Sequence, residues 1–236
     1  MVAALALTFA SCDDDDGYSL DSYWVGMGTV KKVSSDAQPF YIQLDNGDKV
    51  WIAATNLPYY KPKDGQRIIA NYTILSDEHN DYDHAIKLNG VYEVLTKPVI
   101  ELTTANADSI GNDPLVITDA WIASDYLNIE FEFLGNSKRH MVNLVQSELF
   151  PGTLDVAKIQ FRQNAYGDEE AYRMRGIVSF NIMSLQIWGR SSRNIELTYT
   201  NYDGQTKTIT LVYSWSDIIN VHDTYGTKIK EYSLVK

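Results

Sequence analysis

The sequence predicts an all-β protein, an OB-like five-stranded barrel followed by a C-terminal β-sandwich. Three observations carry that expectation. Val, Ile, Thr, Tyr, Phe and Trp alternate with polar residues in short runs nearly throughout, the period of half-buried strands. Gly, Asn, Asp and Pro punctuate those runs as turn formers. Hydrophobic residues make up 44% of the chain, enough for a substantial core.

The elements follow in order. Residues 24–33 read as a strand broken by Gly26 and Gly28, as a strongly coiled barrel strand would be. Residues 40–44 and 49–53 flank Asp45-Asn46-Gly47-Asp48, where Asn-Gly supplies the positive φ angles of a tight primed hairpin turn. Asp64-Gly65 turns into residues 66–76, and residues 84–95 form the last barrel strand. Lys97-Pro98 marks the boundary, since proline cannot continue a ladder. Residues 103–114 are polar and turn-rich, a linker or long first loop. Beyond them residues 125–134 alternate cleanly, with Ile129, Phe131 and Phe133 on one side and Glu130 and Glu132 on the other. Residues 158–163, 177–182 and 195–200 follow, and Tyr202-Asp203-Gly204 turns into 206–214. Periodicity does not decide between helix and strand for 140–149. Roughly seven strands with hairpin turns suggest a sandwich.

The start of the chain gives an address. An apolar run over residues 2–9 meets small Ala10-Ser11, then Cys12, the only cysteine, then Asp13, Asp14, Asp15 and Asp16. This reads as a lipoprotein signal over residues 1–11 with Cys12 as the acylated first residue of the mature protein. Only a good sulfur nucleophile accepts the diacylglyceryl group, and each buried methylene strengthens attachment by about 0.8 kcal/mol. No Lys or Arg precedes the apolar run, so the reading supposes a start upstream of Met1. The blander alternative is a first strand with an ordinary buried thiol. It fits poorly, because four solvated carboxylates follow the run at once. Residues 12–21 then form an acidic tether, 22–98 the barrel and 99–236 the sandwich. With Cys12 acylated, no thiol remains for a disulfide or a thiolate metal site.

Charge excludes one class of partner. The net charge is −11, with 14 Asp and Glu against 8 Lys and Arg in residues 1–98, and 17 against 12 beyond. Neither half has the basic face that a phosphate backbone requires, so nucleic acid is not an expected partner.

The order of parts resembles the NigD-like lipoproteins of the Bacteroidota. The likeness rests on Ser11-Cys12-Asp13-Asp14, on Asp113-Pro114-Leu115-Val116-Ile117 with Ala120-Trp121-Ile122 and Asp125-Tyr126-Leu127-Asn128-Ile129, and on Arg175-Gly176-Ile177-Val178-Ser179-Phe180. It spans nearly the whole chain and implies an OB-like first domain, a β-sandwich second domain and a lipid anchor. The four aspartates resemble the acidic signal that sends such lipoproteins to the outer face of the outer membrane. The family's name implies bacteriocin immunity by association only, and it brings no catalytic residues to transfer.

Candidate chemistry is sparse. Asp77-Glu78-His79-Asn80-Asp81-Tyr82-Asp83-His84 is dense in metal-capable side chains, but its spacing matches neither a calcium loop nor a zinc helix, so a solvated hairpin tip explains it more simply. Glu130 and Glu132 lie on one strand face, roughly 7 Å apart by strand rise, a separation that suits a glycosidase pair or merely a wet face. His140 and His222 have serines and acids nearby without a recognisable order, and no G-x-S-x-G elbow is present. Asn71-Tyr72-Thr73 fits a glycosylation pattern by coincidence in a barrel strand. No catalytic residue, metal ligand or cofactor is therefore expected. Aromatics are the remaining lead: 16 Tyr and 5 Trp, with Trp24, Tyr41, Trp51, Tyr59 and Tyr60 gathered in the barrel half. OB barrels bind oligomers across one face, and sugars stack on aromatic planes, although core filling explains most such residues. Tyr59-Tyr60 is the exception, because Pro58 and Pro62 make it a loop where a ligand contact is as good a reading as packing. The expected function is non-enzymatic binding of a glycan or protein at the cell envelope, with bacteriocin immunity or envelope assembly second and glycoside hydrolysis last.

Overall fold

The computed structural model describes residues 22–34, 39–147 and 151–215. Cys12, Asp13, Asp14, Asp15, Asp16 and His222 lie outside the described residues. Two all-β bodies follow one another, a closed five-stranded barrel and an eight-stranded sheet.

The barrel strands are β1 (Trp24–Lys32), β2 (Phe40–Leu44), β3 (Lys49–Thr55), β4 (Arg67–His79) and β5 (Tyr82–Glu93), in the order β1-β2-β3-β5-β4. Antiparallel pairing of β1 with both β2 and β4 closes the barrel, and Gly28 sits opposite Leu44 on one side and Ile68 on the other. A Cβ at Gly28 would stand 2.6 Å from the Gln43 carbonyl oxygen, so the tight coil of β1 needs a glycine there. Val30, Ile42, Leu44, Val50, Ile68, Ile74, Ile86 and Leu88 fill the interior.

The β2–β3 turn departs from the expected primed form. Only Gly47 has a positive φ, at 105°. The Leu44 N–H donates to the Asp48 carbonyl (2.8 Å) and the Gly47 N–H to the Leu44 carbonyl (3.0 Å), so the loop holds three residues. The Asn46 side chain accepts the Asp48 N–H at 3.1 Å, an Asx turn that accounts for its place here. The extra residue turns Asp45 inward.

The second body comprises β6 (Leu95–Leu102), a one-turn helix α1 (Ala107–Ile110), β7 (Val116–Ala123), β8 (Tyr126–Gly135), β9 (Met141–Ser147), β10 (Val156–Asn164), β11 (Tyr172–Asn181), β12 (Ser192–Thr200) and β13 (Thr206–Ser214). The strand order is β13-β12-β10-β9-β6-β11-β8-β7. The sheet folds over on itself, and the Leu115 N–H, just before β7, bonds the Thr200 carbonyl at the end of β12 (3.0 Å). Inward-facing Phe131, Phe161 and Phe180 meet edge to face between the layers, at centroid distances of 5.0 and 5.9 Å.

Lys97-Pro98 does not interrupt a ladder, contrary to what its missing donor suggests. Both residues lie inside β6, where the strand changes partners. Leu95 to Pro98 run parallel to Val178 to Asn181 of β11, and Val99 to Leu102 run parallel to Leu144 to Ser147 of β9. A strand crossing between layers tolerates a missing N–H at the switch. Within the undecided segment, the described residues Met141–Ser147 form a strand, β9.

The two bodies meet through a joint of mixed chemistry. Met27 and Val94 of the barrel side pack on Trp121, Ala123 and Ile177 of the sandwich. Beside them Arg67, 1% exposed, grips Asp45 through two hydrogen bonds of 2.6 and 2.7 Å. The Arg67 guanidinium also donates to Thr29 Oγ1 (3.0 Å) and to Asn128 Oδ1 (3.0 Å), and it lies 5.0 Å from the Tyr126 ring centre. Asp45 accepts in turn from the Trp121 indole (2.9 Å). Thr29, Asp45 and Arg67 belong to the barrel, and Trp121, Tyr126 and Asn128 to the sandwich. The tip of the β2–β3 hairpin is thereby pinned to the second domain.

Candidate ligand-binding face

Strand alternation decides what the pinned hairpin shows to solvent. Ile42 and Val50 point into the barrel, so their neighbours Tyr41 and Trp51 point out, and the register sets them directly opposite one another. The β4–β5 hairpin lies alongside, because β3 also pairs in parallel with β5. It adds His79 and Tyr82, a cross-strand pair at its tip, where Glu78 and Asn80 take positive φ angles of 44° and 55°. The four rings form one shelf. Tyr82 lies 5.2 Å from Tyr41 and 5.0 Å from Trp51, and His79 stacks on Trp51 at 6.3 Å with an interplanar angle of 23°. All four are half-buried, with the barrel core behind them.

The carboxylates of the same hairpin diverge. Asp83 accepts the backbone N–H of Lys49 at 2.7 Å, and Asp77 Oδ1 lies 2.9 Å from His84 Nδ1. Glu78 and Asp81 are exposed. Among the described residues no group of three or more metal-capable side chains gathers, here or elsewhere. The segment is a hairpin whose strands run to His79 and from Tyr82, and exposed Glu78 and Asp81 flank those two rings in its turn.

The other candidate residues scatter. Tyr59 is 92% exposed, whereas Tyr60 turns inward, donates to Gln66 Oε1 at 3.2 Å and meets Phe40 edge to face at 6.0 Å. Burial, with Glu93 adding, pushes the Tyr60 phenol up to about 12. The pair therefore divides, Tyr60 serving the core and Tyr59 alone facing solvent. Glu132 is held by Arg173 (2.8 Å) and Arg175 (3.0 Å) of β11, and chiefly the Arg173 hydrogen bond keeps its carboxyl below the usual range. His140 is fully buried against Phe133 and lies 3.3 Å from Asp168. In Asn71-Tyr72-Thr73 the second and third residues are buried in mid-β4. A cleft of about 170 Å³ opens between the two domains beside Lys31, Gln43 and Asn181, but Asp45 and Arg67 on its wall already satisfy one another.

Sequence reasoning named Tyr41 and Trp51 as aromatics of the barrel and placed His79 and Tyr82 in an acidic loop. One shelf thus appears in the sequence as two separate leads. The signal that unites them is the parity of β2 and β3, with an aromatic residue at the outward position of each. The joint left weaker traces: Asp45 reads as a turn residue, and Arg67 is a lone charge before Ile68-Ile69-Ala70.

Comparison with known proteins supports this architecture. The profile of the NigD-like N-terminal OB domain matches residues 27–94, and that of the NigD-like C-terminal β-sandwich domain matches residues 98–213. No curated protein matches the chain significantly. Among solved structures, a Bacteroides vulgatus protein of unknown function is 29% identical with a TM-score of 0.72, over 87% of this chain and 96% of that one. A protein described as toxin-related from Parabacteroides distasonis is 34% identical with a TM-score of 0.71, over 82% and 94%. A NigD-like immunity protein from Bacteroides caccae shares the fold at 18% identity and a TM-score of 0.61, over 84% and 98%. With both domain profiles matched in order and a relative more than 30% identical along most of its length, the chain belongs to the NigD-like family.

Proposed function

We propose that this protein is a surface-anchored outer-membrane lipoprotein that acts without catalysis, as an interaction module for a glycan or protein at the cell envelope. The observation that carries the binding role is the outward shelf of Tyr41, Trp51, His79 and Tyr82, held on two hairpins of a rigid barrel. Cys12 with its apolar and small-residue approach supports the anchor, and Asp13, Asp14, Asp15 and Asp16 support export to the outer face. A glycosidase pair of Glu130 and Glu132 finds no support, because two arginines occupy Glu132. Treatment of intact cells with a non-permeant protease tests the address. Native protein is clipped, and a variant with Asp13, Asp14, Asp15 and Asp16 changed to Ala is spared. Resistance of both in intact cells, with loss of both on lysis, places the domain inward and leaves an envelope-assembly role.

A second reading, bacteriocin immunity, draws on the shared fold of the Bacteroides caccae immunity protein. It needs a protein-binding surface and no pocket. Deletion of the gene then removes protection against one specific toxin, and complementation restores it.

A further inference from the structure

We propose that the shelf formed by Tyr41, Trp51, His79 and Tyr82 is a saccharide platform for neutral or amino-bearing glycan chains, and that it excludes glycans carrying carboxylate or sulfate. This rests on the surface-binding reading and names the ligand class of that module.

The ring geometry is the first ground. A pyranose has one face made of C–H bonds, and that face packs on the electron-rich face of an aromatic ring. Tyr41, Tyr82, Trp51 and His79 follow one another at 5.2, 5.0 and 6.3 Å with interplanar angles of 56°, 37° and 23°, so they form a stepped strip, not a single plane, longer than one sugar ring. Strand parity and cross-strand pairing fix the strip, so little side-chain freedom is lost when a ligand lies on it. The rings are not simply core filling, since the barrel interior is built from Ile42, Val50, Ile86 and their neighbours on the opposite strand face.

Charge is the second and independent ground. At the tip of the β4–β5 hairpin, exposed Glu78 and Asp81 flank His79 and Tyr82, and Asp77 and Asp83 follow, engaged with His84 and the Lys49 backbone, against Lys31 opposite Tyr41 and Lys49 on β3. Carboxylates accept sugar hydroxyls and ammonium groups in charge-assisted hydrogen bonds, and they repel uronates and sulfates. The chain's net charge of −11 adds to that repulsion at long range. Nucleic acid could stack on the same rings but meets the same repulsion at every phosphate.

The test is calorimetric titration of the full chain in detergent with three oligosaccharides of matched length, built from glucosamine, glucose and galacturonic acid. The expected order is glucosamine first, glucose next and galacturonate undetectable, with the glucosamine advantage shrinking as salt is raised. Trp51→Ala and Tyr82→Ala each weaken binding about tenfold, the loss of one stacked ring. Glu78→Gln with Asp81→Asn lowers the glucosamine advantage without abolishing glucose binding, and Tyr59→Ala changes nothing. Because truncating a ring also removes packing from the barrel surface, the indole N–H resonance of Trp51 is followed in the native protein, and it shifts on addition of glucosamine oligomer. Galacturonate bound as tightly as glucosamine overturns the inference. So does binding that leaves the Trp51 resonance unmoved, which places the glycan elsewhere. Failure of all three sugars overturns the ligand class, whereas failure of the surface module shows separately, as protease resistance on intact cells.

Discussion

Asp45 takes polar contacts from both sides of the joint. Its carboxylate takes two hydrogen bonds from Arg67, and Trp121 and Asn128 donate to the same oxygen from the sandwich. Asp45→Ala leaves a guanidinium 1% exposed with only neutral acceptors around it. Removing one partner of a buried pair costs about 3–5 kcal/mol, so the urea midpoint falls accordingly. Asp45→Leu with Arg67→Met recovers part of that loss, because no charge is then stranded although the Trp121 indole still loses its acceptor. Asp168 makes a different contribution. Hydrogen bonds from the Asn136 backbone first, then from Ser137 and His140, hold its carboxyl far below the usual range. Its folded-state pKa is therefore depressed, and the stability it adds is complete above its unfolded value, roughly 3.9, and fades as pH falls toward the folded value. Urea midpoints measured from neutral pH down to pH 3 fall for the native chain, and Asp168→Asn flattens the acid end of that curve. Neither role was legible in sequence. Asp45 stands beside Asn-Gly and reads as a turn, and its partners Arg67, Trp121 and Asn128 lie 22, 76 and 83 positions away.

Among elements, legibility followed the locality of the pairing. The β8 alternation of Ile129, Phe131 and Phe133 against Glu130 and Glu132 matches the observed burial, because a strand with one wet face writes its period into the sequence. β6 was not readable in that way. It pairs in parallel on both sides with β11 and β9, about 80 and 45 residues later, and half of it faces each layer. The β8–β11 pair offers a test of cross-strand packing within one layer. Gly176 lies opposite Phe131, and a Cβ there would stand 2.5 Å from the Phe131 Cζ. That ring is 1% exposed and held edge to face by Phe161, so it has no room to yield. Gly176→Ala therefore destabilises the sandwich by about 1–3 kcal/mol, the overpacking range. Thermal melting followed through the far-ultraviolet signal measures it. An unchanged midpoint would mean that the Phe131 ring yields more easily than its packing implies.

At the scale of the molecule, the question is whether barrel and sandwich behave as one body. Domains joined by small polar contacts move independently as a rule, and cooperative coupling needs an interface that both sides lose together. Here the apolar patch of Met27, Val94, Trp121, Ala123 and Ile177 is modest, and the Asp45–Arg67 network spans it, with acceptors in both domains. The barrel cannot open without exposing Arg67, and the sandwich cannot part from it without stranding the Trp121 indole. The full chain should therefore melt in one calorimetric transition whose calorimetric and van't Hoff enthalpies agree. Asp45→Ala should divide that transition in two, the barrel melting first because its apolar core is the smaller. Retention of a single transition, merely shifted to lower temperature, would assign the coupling to the apolar patch instead, and Trp121→Ala should then be the substitution that divides it. The coupling also bears on the binding face. The β2–β3 hairpin carries Tyr41 and Trp51, and Asp45 at its tip fixes it to the sandwich. In Asp45→Ala the shelf keeps its rings but loses their anchorage. Glycan affinity should then fall even though no residue touching the sugar has changed.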